Sequence, residues 1–237
     1  MMDQMAMGDS GSPLLGTDQE IEFILDALNL PLGSAILDLH CGYGRHSIEL
    51  AKRGFRVIGV DSTASFLEIA RQKATEMGVN ASFEQCDMRE LSYSQAFDAV
   101  INMFAAFGFF SDAENEQVIE RIYSALKPGG RFLIDLLNRD WMLKNNLTRY
   151  WRHPSGDYVL SYKVELVSGR AVMRRELLNQ LTGAKTKFEF ILRVYSLAEL
   201  TDMLRRQGFL IQAEYGAFDR RPYSSDEPRM IIMAQKK

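Results

Sequence analysis

Apolar residues fall along this chain first at helical spacing, then in short unbroken runs, and later in strict alternation. From Thr17, "TDQEIEFILDALNL" sets Ile21, Ile24, Leu25 and Leu28 at helical spacing behind a capped, acidic first turn, and Pro31 and Gly33 close it. "SAILDL" is a short, wholly apolar run apart from Asp38, the texture of a strand buried on both faces. "HSIELAKRG" then reads as a helix ending at Gly54, "FRVIGVD" as a second strand, and "STASFLEIARQKATEMG" as a helix capped by Ser62 or Thr63 and stopped near Gly78. "ASFEQCD" and "FDAVINM" supply two more strands, "ENEQVIERIYSALKPGG" a helix broken by Pro128, Gly129 and Gly130, and "RFLIDLL" a fifth strand. Strands alternating with helices in this way predict an α/β fold with a doubly wound, mostly parallel sheet. Right-handed crossovers put every strand's C-terminal end on one rim, where ligands bind.

Past Leu137 the rhythm changes to a period of two. Tyr158, Leu160, Tyr162 and Val164 share one face of a strand, and Phe188, Phe190, Leu192 and Val194 share a face of another. Turns near Gly169 and Gly183 make this an antiparallel meander inserted after the fifth strand. "SLAELTDMLRRQG" returns to helix with Ser196 and Glu199 as a capping box, and "FLIQAEY" and "RMIIMAQ" form a closing antiparallel hairpin. The expected plan is a seven-stranded sheet divided as follows: residues 1–16 a flexible tail, 17–147 a cofactor-binding core, 148–195 the inserted meander, and 196–237 the C-terminal helix and closing strands. The meander has two uses, a lid over the rim or a homodimer contact.

Composition narrows the setting. The 237 residues are 46% hydrophobic and 25% charged with a net charge of -3, which fits a globular chain and counts against a duplex nucleic-acid partner. No apolar run approaches the ~20 residues of a membrane helix, and "MMDQMAMGDSGSPLLG" lacks the basic start and apolar block of a signal peptide. Cys41 and Cys86 are too few for a disulfide framework and stand in no zinc-binding spacing, so a reducing cytoplasm and no metal are expected.

Candidate chemistry concentrates in "ILDLHCGYGRH". Gly42 and Gly44 let the backbone turn sharply and lie against a ligand. A dinucleotide would place its pyrophosphate on this turn, and the carboxylate of Asp38 would repel it. The residues after Gly44 are Arg45, His46 and Ser47, not the third glycine of a dinucleotide fingerprint. A ligand with an amino group and a sulfonium, and no phosphate, is attracted instead, and S-adenosyl-L-methionine is such a ligand. Asp61 ends the second strand, where a carboxylate can accept ribose hydroxyls. Asp87 follows the third strand and can meet an adenine amino group with Met88 packing on the base, while Asn102 ends the fourth strand on the same rim.

The stretch "ILDLHCGYGRHSIELAKRGFRVIGVDSTASFLEIARQKA" resembles the first two motifs of the Rossmann-like (class I) S-adenosylmethionine-dependent methyltransferases, and "FDAVINMFAAFGFF" and "LKPGGRFLIDLLNRDWM" resemble their later motifs. The resemblance implies that Asp38 and the backbone of His40, Cys41, Gly42, Tyr43 and Gly44 hold the methionine part. It further implies that Asp61, with Ser62 beside it, holds the ribose, and Asp87 and Met88 the adenine, with S-adenosyl-L-homocysteine as product. One departure is His40, which stands where the family usually has its first glycine.

The acceptor is less legible. His46 and Tyr43 are the candidates for a catalytic group, and Arg45, His46, Phe104, Phe107, Trp151, Arg221 and Tyr223 for the acceptor's walls. Gly108 within "FAAFGFF" suggests a loop that approaches a ligand closely. The expected reaction is methyl transfer to nitrogen or oxygen of a small molecule. Methylation of RNA or protein, and a cofactor-binding regulatory protein without turnover, stand as alternatives; a nicotinamide dehydrogenase is disfavoured by Asp38.

Overall fold

A computed structural model of the chain describes residues 17–145, 148–152 and 158–237. The expected tail, 1–16, lies outside them. Seven strands form one sheet in the order β10-β11-β5-β4-β1-β2-β3. In chain order these are β1 (Ala35–Leu39), β2 (Arg56–Asp61), β3 (Ala81–Gln85), β4 (Phe97–Asn102), β5 (Leu126–Leu137), β10 (Phe209–Tyr215) and β11 (Arg229–Lys236). The first five run parallel, and β11 pairs antiparallel with both β5 and β10. This is the expected fold class.

Helices cover both faces because alternate residues of each strand need apolar partners on opposite sides. On one face Leu37, Leu39, Val100, Phe132 and Ile134 pack with Val118 and Ile122 of α4 (Asp112–Ala125) and with Leu200 and Leu204 of α6 (Leu197–Gln207). On the other, Ile36, Ala99, Ile101 and Leu133 meet Ile21, Ile24 and Leu28 of α1 (Thr17–Leu28) and Leu50 of α2 (Arg45–Lys52). Phe83 on β3 packs against Leu67, Ala70 and Ala74 of α3 (Ala64–Glu76). The capping box of Ser196 and Glu199 is formed as expected, and Ser111 and Glu114 form a second at the start of α4.

Two boundaries differ from the sequence reading. The fifth strand starts at Leu126, so "KPGG" belongs to it, accommodated by a register shift opposite Phe97 and Ala99. A short helix, α5 (Arg139–Lys144), follows β5. Asn138 makes it: its side-chain oxygen accepts from the amides of Asp140 and Trp141, and its amide nitrogen donates to the carbonyls of Ser224 and Glu227.

A second, antiparallel sheet runs β6 (Thr148–Arg152), β7 (Tyr158–Val167), β8 (Arg170–Asn179) and β9 (Lys185–Arg193). Its register sets Val164, Met173 and Phe190 across from one another, and likewise Leu166, Ala171 and Leu192. This face packs on Leu137 at the end of β5, on Trp141 and Met142 of α5 and on Ala105 after β4, so the chain itself covers it there. No described helix is long and apolar enough to cross a membrane.

Candidate functional site

The rim's geometry starts at the end of β1. The amides of His40 and Cys41 both donate to the carbonyl of Val60, at 2.7 and 3.0 Å, which bends the chain over the end of β2. His40, Gly42 and Gly44 are all left-handed, with φ of +65°, +55° and +73°. Glycine is needed at 44 for a second reason: a Cβ there would stand 2.7 Å from the Phe83 ring, whereas one at Gly42 would meet nothing within 4 Å and point into open space. His40 carries left-handed strain that the usual glycine would not, and its ring stacks on Phe109 at 5.2 Å between centroids.

Asp61 is locked to this turn. One carboxylate oxygen accepts the Gly42 amide at 3.0 Å, the other the Thr63 amide at 2.9 Å, and His40 Nδ1 stands 3.7 Å away. A cavity of about 230 Å³ opens there, walled by Leu39, Val60 and Met88 on its apolar side and by Asp61, Ser62 and Asp87 on its polar side. His40, Cys86, Phe109 and Phe110 complete it. Arg89 grips Asp87 through its backbone amide and guanidinium, at 2.7 to 3.0 Å, and these bonds hold the carboxyl below its usual range. Arg89 in turn lies over the Phe110 ring.

Asn102 stands beside the turn, fully buried. Its amide nitrogen donates to the carbonyls of Leu39 (3.0 Å) and Ala106 (3.1 Å), an orientation those two acceptors impose. Its side-chain oxygen is left with no partner. A buried acceptor in that state favours a ligand that brings a donor.

Several expectations need correction. Asp38 does not line the cavity. Its side chain alternates to the opposite face from Leu39 and takes the Ser47 hydroxyl at 2.6 Å in the first turn of α2, where burial pushes its carboxyl up. His46 is also buried: its Nε2 lies 2.8 Å from a Glu20 carboxylate oxygen that Arg45 shares, and the contact ties α1 to α2. Burial raises Glu20, but these two partners outweigh it and leave the carboxyl lowered. Tyr43 turns to α3, its ring 4.4 Å from that of Phe66. The Cys41 side chain packs into the core with Ile48 and Phe83, its thiol pushed up by burial, so only its backbone belongs to the turn.

Among the acceptor candidates, Phe107 is core, packed on Tyr195. Arg221 is exposed and pairs with Asp219 and Glu227 in its own loop. Tyr223 donates to Asn138 and so braces α5 at the end of β5. Phe104 remains at the rim with the Arg45 guanidinium 5.1 Å from its ring centroid. Trp151 lies on β6, its side chain outside what the structure describes. Leu39, Val60 and Cys86 were missed as wall residues, although each directly flanks a strand-end acid or the glycine turn.

The lining contains two carboxylates, an apolar slot and neither lysine nor arginine. Two carboxylates with no lysine or arginine disfavour a phosphate, and the lining suits hydroxyls, an amino group and a planar ring. A family model for a methyltransferase domain matches residues 36–130. A glycine/sarcosine N-methyltransferase of Aphanothece halophytica is 27% identical over 93% of this chain and 83% of its own length. A demethylmenaquinone methyltransferase of Thermus thermophilus is 35% identical, but over 51% of this chain and only 56% of its own length. The crystal structure of an S-adenosylmethionine-dependent methyltransferase from Clostridium acetobutylicum superposes with a TM-score of 0.82 at 16% identity, covering 99% of this chain and 95% of that one.

Proposed function

Because this chain belongs to the Rossmann-like S-adenosylmethionine-dependent methyltransferases, we propose that it transfers the cofactor's methyl group to a nitrogen or oxygen of a small molecule. The observation that carries the cofactor assignment is the unit of Gly42 and Asp61 opening on a cavity walled by Asp87 and Met88. Asp61 takes the ribose hydroxyls on the lone pairs that Gly42 and Thr63 leave over. Asp87 and Met88 receive the adenine. The backbone from His40 to Gly44 and the unpartnered oxygen of Asn102 receive the amino-acid end. Asp38 serves from behind, holding Ser47 and with it the first turn of α2.

The bound cofactor supplies a methyl carbon already activated by sulfonium charge. The protein therefore needs chiefly to align the acceptor and exclude water. His46 is buried on Glu20 and the Tyr43 ring lies against Phe66, which supports an acceptor that arrives as a neutral amine over a hydroxyl that must be deprotonated. The small-molecule reading draws support from the second sheet packed over the ends of β4 and β5 and from the names of the two relatives. The free thiols Cys41 and Cys86 suit a cytoplasmic setting.

Isothermal titration with S-adenosylmethionine, S-adenosylhomocysteine and NADH tests the cofactor: the two sulfur compounds should bind, and preference for NADH would overturn the assignment. Radiolabelled methyl donor offered to metabolite, RNA and protein pools tests the acceptor. Label in the metabolite fraction supports the proposal, and label confined to RNA or protein refutes it.

A further inference from the structure

The turn after β4 holds two consecutive non-glycine residues in the left-handed region, Phe104 (φ +67°) and Ala105 (φ +57°). Such strain persists only where the surroundings over-determine it, and here one residue does most of the holding. Asp135 on β5 is fully buried. Its carboxylate accepts the Phe104 amide at 2.9 Å and its main-chain carbonyl accepts the Ala105 amide at 2.8 Å. Arg229 from β11 donates to both carboxylate oxygens, at 2.8 and 2.6 Å, and keeps the charge compensated. The turn then reaches the helix that follows the glycine turn. The Phe104 ring lies 5.1 Å from the guanidinium of Arg45, the residue that follows Gly44, and 5.2 Å from that of Arg229. Asn102 ties Ala106 to Leu39 just before the glycine turn.

We propose that Asp135 is a positioning residue for the cofactor turn: by holding Phe104 and Ala105 left-handed it seats the Phe104 ring against Arg45 and fixes the start of the helix behind Gly44. A buried ion pair that served only to fill the sheet would need no bond to a strained backbone. The inference rests on the cofactor reading above, and its test separates the two.

The variants are Asp135→Asn, Ala105→Gly, the double variant and Ala105→Val, with S-adenosylmethionine affinity and amide hydrogen exchange as readouts. Asp135→Asn should weaken cofactor binding about tenfold and speed exchange of the Phe104 and Ala105 amides by at least about tenfold. Ala105→Gly alone should be neutral. In the double variant glycine adopts the left-handed turn unaided, so affinity should return to within about threefold of wild type. Unchanged affinity in Asp135→Asn, or a loss that glycine does not recover, would overturn the proposal. Should Asp135→Asn not fold, Ala105→Val carries the test: it leaves the ion pair intact but resists a left-handed backbone, and unchanged affinity there overturns it equally. A wild-type protein that binds no S-adenosylmethionine would fault the cofactor reading instead. Asp135 would then be judged on exchange alone, and equal rates in wild type and Asp135→Asn would refute its role.

Discussion

Gly42 donates its amide proton to Asp61 across 3.0 Å, and that one bond makes the turn after β1 and the end of β2 a single piece. Thr63 occupies the other oxygen at 2.9 Å. The carboxylate is thus aimed before any ligand arrives, and binding need not pay for ordering it.

Asp61→Ala removes both the ligand's acceptor and the brace of the turn. S-adenosylmethionine affinity should fall by about 1–3 kcal/mol, read by isothermal titration. Unchanged affinity would mean that the ribose contact lies elsewhere.

The two glycines of the turn should separate stability from binding. Alanine at 44 meets the Phe83 ring at 2.7 Å and Ala70 at 3.0 Å on a left-handed backbone, and should cost about 2–4 kcal/mol of stability in urea unfolding. Alanine at 42 meets nothing, so its stability cost is near the backbone strain alone, about 1 kcal/mol. Its methyl group would enter the open space beside the turn, and cofactor affinity should drop while the unfolding midpoint falls much less than for alanine at 44. Equal effects at the two positions would contradict this division.

That contrast also marks how far the sequence could be read. Parallel strands buried on both faces announce themselves as apolar runs, so β1 to β5 and their rim were legible, and acids at strand ends led to Asp61 and Asp87. The same rule failed at Asp38 because it sits one residue before the strand's end: Leu39 faces the cavity and Asp38, in phase with Ile36, faces the α1 and α2 layer. Nothing local in "FAAFGFF" says that Phe107 is core while Phe109 lines the cavity. Contacts with Tyr195 and His40, distant in the chain, decide it. The left-handed turn at Phe104 carries no glycine to signal it. Its partner Asp135 did leave a mark, an acid inside an apolar strand, which is the same signal that drew notice to Asp38.

Acid should weaken the junction between the second sheet and α6. Burial raises the Glu199 carboxyl, but the Ser196 amide and the Arg193 guanidinium overcome it and bring its value to about 2, from an ordinary 4.5. A carboxyl lowered on folding contributes stability above its unfolded value and loses it as pH falls through the folded one. Urea midpoints of the wild type should therefore decline between pH 4.5 and about 2 more steeply than those of Glu199→Gln. Parallel declines would show that the pair contributes nothing at equilibrium.

Glu20 offers the sharpest discrimination between catalysis and architecture at His46. Its carboxylate is buried, and one oxygen serves both His46 at 2.8 Å and Arg45. Removing it by Glu20→Ala strands a buried histidine and the Arg45 Nη1 that Glu20 holds, beside an Nη2 that already has no partner, a defect of about 3–5 kcal/mol in comparable buried pairs. His46→Gln removes the ring but keeps a donor within reach of Glu20, so it should cost less than Glu20→Ala. If His46 is architectural, His46→Gln leaves the pH profile of methyl transfer in place and changes only the unfolding midpoint. A His46→Gln enzyme that folds normally but loses a titrating limb from its pH–rate profile would restore His46 as the base.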